Sequence, residues 1–205
     1  MHSKNIMTAG KDISGAKKAL IMLHGRGGNV RDILSLANQL KVRDFALFAP
    51  QATNNSWYPH SFLVNPTQNE LWLSSALEIL RDLLEEIKRN GIASENIYFA
   101  GFSQGACLAA EFVTRNATRF GGVILFTGGL IGDKIYTENY KGDFAGTPVF
   151  IGTGNPDAHV PLERVNETAK IMKKMNATVT VKVYENRPHS ISQDEIETAN
   201  KLIFK

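Results

Sequence analysis

A three-layer α/β/α sandwich around a mostly parallel sheet is predicted by two features of the sequence. Short apolar runs alternate with longer amphipathic ones, the βαβα order of such folds. Most of the short runs are almost wholly apolar rather than alternating, as strands must be when helices cover both faces of the sheet. At 205 residues the chain suits one domain, because single cores grow to roughly 250 residues before chains divide. No repeat, low-complexity stretch or Pro/Gly/Ser-rich linker divides it, so residues 1–205 are read as one unit without a large cap.

The expected strands are Ala19–Leu23, Phe45–Ala49, Ile97–Phe102, Gly122–Phe126, Val149–Thr153 and Val179–Tyr184. The last alternates and is therefore placed at an edge with one wetter face. Thr67-Gln68-Asn69-Glu70 has capping-box spacing, Leu73, Leu77, Leu80, Leu84 and Ile87 recur at helical spacing, and Asn90-Gly91 is a stop signal. Trp72, Leu73 and Leu77 are read as core. Pro161 is placed as the first-turn proline of a helix running towards Met175, and Ser192-Gln193-Asp194-Glu195 as a capping box for the final helix.

Composition excludes several classes. With 43% hydrophobic and 21% charged residues the chain is neither disordered nor a coiled coil. Its 23 Lys+Arg against 20 Asp+Glu leave a net charge of +3, scattered along the sequence, which gives no nucleic-acid footprint. The lone Cys107 cannot form an internal disulfide, and it is read as a core residue. The N-terminal MHSKNIMTAG lacks the apolar core of a signal peptide, and no apolar run approaches the ~18 residues of a membrane span. A soluble, cytoplasmic protein without stable membrane insertion is expected.

Chemistry enters at Gly101-Phe102-Ser103-Gln104-Gly105, a G-x-S-x-G pattern between an apolar strand and a helix start. Strand, tight turn and helix are the setting of a nucleophile elbow, with glycines where side chains would collide and the serine beside a helix N-terminus. A serine needs a base to take its proton and an acid to orient that base. Hydrolases of the α/β type supply them in the order Ser, acid, His. Only His159 and His189 follow Ser103, and His189 lies in the short loop between the last strand and the last helix, where the base belongs. Asp157 stands just past the strand Val149–Thr153, at the carboxyl end where open α/β sheets build sites. Asp133 and Asp143 compete from positions farther from a strand end.

Leu23-His24-Gly25-Arg26-Gly27-Gly28 closes the first apolar strand and suits an oxyanion loop, with the backbone N–H groups of Arg26 and Gln104 as donors. Val30 stands where a dinucleotide fingerprint beginning at Gly25 requires glycine, and no Gly-Lys-Ser/Thr follows for a phosphate loop. His24, upstream of the serine, is read as bracing this loop. Trp57, Tyr58 and Phe62 in the long loop after the second strand, with Leu130 and Ile131 after the fourth, are candidates to bind substrate. The aromatics read equally well as core satellites, and Leu130 and Ile131 equally well as sheet packing.

The motifs LHGRGGN, GFSQGA, GNPDAHVP and YENRPHSIS, spread from Leu23 to Ser192, resemble the phospholipase/carboxylesterase family of α/β-hydrolases, which includes acyl-protein thioesterases. The resemblance implies a compact serine hydrolase needing neither metal nor organic cofactor, with Ser103 as nucleophile, Asp157 as acid and His189 as base. It also places Asn55-Ser56-Trp57-Tyr58 at the aromatic loop beside the active site. This chain departs from the family in carrying Arg187-Pro188 where a glycine is common, Ala106 where a second glycine often follows, and Arg26 where thioesterase-type members are often apolar. Those departures and the scarcity of covering chain favour a small-molecule ester and a shallow, open pocket. A long-chain acyl-protein thioesterase or lysophospholipase, and a non-catalytic scaffold, are the rival readings. A homodimer contact through the aromatic loop is left open.

Overall fold

The computed structural model describes residues 1–204. Seven strands form one sheet: β1 (Ile6–Gly10), β2 (Lys18–Leu23), β3 (Phe45–Pro50), β4 (Ile97–Phe102), β5 (Gly122–Phe126), β6 (Pro148–Asn155) and β7 (Thr178–Glu185). Their spatial order is β1-β3-β2-β4-β5-β6-β7, parallel throughout except for the antiparallel β1–β3 pair. The helices are α1 (Val30–Ser35), α2 (Trp72–Arg89), α3 (Gln104–Arg115), α4 (Leu162–Lys174) and α5 (Gln193–Leu202).

Both faces of the sheet are covered, which is why its central strands carry so few polar residues. Ala19, Ile21 and Leu23 of β2 join a core with the buried faces of α2, α3 and α4. Leu20 and Met22 point the other way, into a second core closed by α1 and α5. The period-two alternation of a strand thus feeds two apolar layers from one apolar run. No large cap is inserted among the described residues. No helix among them is long and apolar enough to cross a membrane.

Two sequence expectations are corrected. The first is β1, a seventh strand beside the six expected. Its sequence IMTAG is short and four of its five residues are exposed, so neither an apolar run nor a clean alternation announces it. It exists because β3 offers an open edge, and its register from Ile6↔Pro50 to Gly10↔Ala46 caps that edge.

The second is the capping box at Thr67. Asn65 takes the cap instead, accepting from the Thr67 N–H, and Pro66 opens a single 3₁₀ turn over Pro66–Gln68. The Thr67 hydroxyl donates to Asn65 Oδ1 at 2.8 Å, and Glu70 accepts from the Ser74 hydroxyl, so neither residue serves the other. α2 then starts at Trp72 from Leu71, whose φ is 62°. Leu73 and Leu77 are buried, as their spacing implies.

Elsewhere the local signals are expressed. Ser192 and Glu195 form a reciprocal capping box on α5. Asn90 ends α2 with Gly91 at φ 91°. Pro161 sits one residue earlier than expected, as the N-cap of α4. β7 is an edge strand with alternating exposure, one face wetter than the other.

Candidate active site

The site sits at the carboxyl ends of β2, β4, β6 and β7, where each strand gives way to the next loop or helix. Ser103 follows β4 at φ 53° and ψ −119°, a conformation costly for any residue with a Cβ. The turn is possible because of its glycines. A Cβ on Gly101 would lie 2.5 Å from the Gly105 carbonyl oxygen, and one on Gly105 would lie 2.2 Å from the Leu23 carbonyl oxygen. Only bare backbone lets α3 start this close to β2 and β4.

The three residues expected to act together are in one hydrogen-bonded line. His189 Nε2 is 2.8 Å from Ser103 Oγ, and His189 Nδ1 is 2.8 Å from Asp157 Oδ2. The other oxygen of Asp157 accepts the N–H groups of His159 and Val160, each at 2.9 Å. Burial pushes the Asp157 carboxyl up, but these N–H donors and the His189 ring outweigh it and hold it below the ordinary carboxylate value. The competing carboxylates are spent elsewhere: Asp133 accepts from the Tyr136 hydroxyl, and Asp143 from the Ala145 N–H and the Asn176 amide. His159 is exposed, with its ring edge-on to His189 at 4.9 Å between centroids.

Gly25 packs directly on the elbow. A Cβ there would stand 3.3 Å from the Phe102 carbonyl and 3.4 Å from Ser103 Cβ. Among the described residues no acceptor takes the backbone N–H of Arg26 or of Gln104. His24 is buried and braces the loop, with Nδ1 against the Gly25 carbonyl at 2.8 Å and Nε2 accepting the Ala52 N–H at 3.1 Å.

Two side chains do work that the sequence did not announce. The Arg26 guanidinium donates to the carbonyls of Pro59 and His60 at 2.8 and 2.7 Å. The Gln104 amide accepts the Trp57 N–H at 2.9 Å and donates to the Tyr58 carbonyl at 2.8 Å. The loop after β3 is therefore clamped to the two residues whose N–H groups flank Ser103. No spacing rule exposes such contacts, because they join a side chain to backbone 33 and more residues away. The same holds for Arg187. Its guanidinium is buried 2.9 Å from Glu195, whose carboxylate also accepts the Ser192 N–H. That pair ties both ends of the His189 loop and gives the departure at Arg187-Pro188 its structural reason.

A cavity of about 300 Å³ opens beside Ser103, walled by Tyr58, Phe62, Leu63 and Val160, with Cys107 below. Of the expected pocket residues, Tyr58 and Phe62 line it. Trp57, Leu130 and Ile131 do not. The Trp57 indole is fully buried and donates to the His24 carbonyl, so it holds the loop. Leu130 and Ile131 are in the core, their N–H groups bound by Thr168 and Glu111. Cys107 is buried as expected. Burial pushes its thiol up to about 12 and raises the adjacent Tyr58 phenol too, so both stay protonated.

A mostly parallel sheet with a strained serine at the β4–α3 turn, and with loops from three strand ends converging on it, defines an α/β-hydrolase. The chain belongs to the phospholipase/carboxylesterase family, whose model matches residues 9–205, and it is accordingly a carboxylic ester hydrolase. The crystal structure of a phospholipase/carboxylesterase from Dyadobacter fermentans is similar over 100% of this chain and 98% of that one, at 56% identity and a TM-score of 0.99. Acyl-protein thioesterase 1 of Candida albicans is 27% identical, covering 93% of this chain and 92% of its own. The Bacillus cereus carboxylesterase structure shares 25% identity over 97% of this chain and 92% of that one, with a TM-score of 0.79.

Proposed function

We propose that the chain hydrolyses small, short-chain carboxylic esters through an acyl-enzyme on Ser103. The observation that carries this reading is the hydrogen-bonded line from Ser103 through His189 to Asp157, beginning at a strained elbow. Ser103 Oγ attacks the acyl carbonyl while His189 Nε2 takes its proton. The oxyanion that forms is held by the N–H groups of Arg26 and Gln104, each worth about 3 kcal/mol of barrier. The second lies at the N-terminus of α3, where the helix dipole favours negative charge. His189 then gives the proton to the departing alkoxide. It takes another from the water that attacks the acyl-enzyme, and returns that proton to Ser103 as the acid is released. Asp157, kept ionised by its N–H donors, fixes the imidazole tautomer and stabilises the imidazolium without taking the proton.

Short acyl groups are favoured by the cavity beside Ser103. At about 300 Å³ it is at the small end of ligand sites, and the buried Cys107 and Tyr58 are among its lining. Tyr58, Phe62, Leu63 and Val160 supply its apolar contacts. Across p-nitrophenyl esters of rising acyl length, kcat/KM is expected to peak at two to four carbons, about tenfold above the sixteen-carbon ester. A profile rising to sixteen carbons would place the protein with long-chain thioesterases instead.

A further inference from the structure

A second concavity, of about 320 Å³, flanks the oxyanion loop on the side away from Tyr58 and Phe62. Ile33, Leu36, Phe102 and Ile191 give it apolar walls, and Asp32 and Gln39 stand at its rim. Gly25 lines it but not the first cavity, and Arg26 borders both. Phe102 immediately precedes Ser103, and its ring lies 5.2 Å from the His189 ring. Ile191 follows His189 by two residues. Phe102 and Ile191 are only half-buried, so apolar surface is left open within reach of the reacting groups.

We propose that this cleft holds the alcohol half of the ester substrate, and that it selects uncharged alcohols with an apolar, branched or cyclic body. The inference rests on the hydrolase reading above. In an acyl-enzyme mechanism the acyl group stays on Ser103 while the alcohol departs, and Ser103 itself lines the first cavity but not the second. The second cleft meets solvent through exposed residues Asp32, Ser35 and Gln39, which suits a product that leaves first. Its chemistry fits an apolar body because four aliphatic or aromatic side chains form the walls. An anionic alcohol is disfavoured by the Asp32 carboxylate, whose Oδ2 is already held by the backbone and side-chain N–H groups of Asn29.

The test holds the acyl group at acetyl and varies the alcohol from methyl to n-butyl to cyclohexylmethyl. These alkoxides differ little as leaving groups, so differences in kcat/KM report binding of the alcohol body. Wild type is expected to gain about tenfold or more from methyl to cyclohexylmethyl acetate. Ile191→Asp places a charge in the cleft, and Gln39→Trp fills it from an exposed position that does not endanger folding. Either variant, folded, is expected to reduce the gain to about twofold while covalent labelling by a methyl-substituted fluorophosphonate continues. A flat wild-type profile with labelling intact overturns the cleft assignment and leaves the hydrolase reading standing. So does a gain that survives in both variants. A folded wild type that is neither labelled nor active on any acetate overturns the hydrolase reading, and the cleft with it.

Discussion

Replacing Asp157 with asparagine is expected to lower kcat on short-chain esters by about 10⁴-fold while leaving the fold intact. Asparagine retains Oδ1, so the N–H groups of His159 and Val160 keep their acceptor and the loop after β6 keeps its shape. At the other position an amide N–H₂ now faces His189 Nδ1, which is 2.8 Å from the carboxylate oxygen in the native chain. A donor there requires a bare Nδ1 and moves the ring proton to Nε2, against Ser103. The imidazole is then the wrong tautomer to accept the serine proton, and the imidazolium loses its counter-charge. Steady-state kinetics on a purified variant, with circular dichroism and a melting curve, separate this from unfolding. A fall of less than about tenfold would show that Asp157 is not the orienting acid.

Gly105→Ala is expected to destabilise the chain by about 3 kcal/mol or more and to abolish most activity. The added methyl would lie 2.2 Å from the Leu23 carbonyl oxygen and 2.5 Å from that of His24, both backbone atoms that cannot swing aside. Relief requires α3 to back away from β2, which separates the N–H of Gln104 from that of Arg26. Gly27→Ala is the matching control. Nothing lies within 4 Å of its methyl, and its φ of 77° costs only about 1–2 kcal/mol. Urea unfolding of both variants measures the difference. Equal losses would mean that the methyl at position 105 is accommodated without α3 retreating from β2, and that the close approach of the two does not require glycine.

The parts of this molecule that could be read from sequence are those encoded by neighbours along the chain. The G-x-S-x-G turn, the Asn90-Gly91 stop and the Ser192–Glu195 capping box each draw on a few consecutive residues. The apolar β2, β4 and β6 reveal themselves because burial on both faces leaves few polar positions. The order Ser103, Asp157, His189 was legible because the fold sends each strand end to the same edge of the sheet.

What stayed hidden depends on partners distant in sequence. β1 is a strand only because β3 has a free edge. Thr67 lost its expected cap to Asn65, a competition between two valid local signals that Pro66 decides. Trp57 reads equally well as a pocket aromatic or a core satellite, and what decides for the core is its indole N–H donating to the distant His24 carbonyl. Leu130 and Ile131 follow a strand end as pocket residues often do, but the buried Thr168 and Glu111 draw their backbone into the core. The side chains of Arg26 and Gln104 point at loop carbonyls that no spacing in the sequence relates to them.

The hydrolysis proposed for this chain begins with Ser103 as the nucleophile. Incubation of the folded protein with a fluorophosphonate, followed by peptide mass spectrometry, tests it most directly. One covalent adduct, on Ser103, is expected in the wild type and none in folded Ser103→Ala. An unmodified wild-type protein, or an adduct that persists in Ser103→Ala, would contradict it.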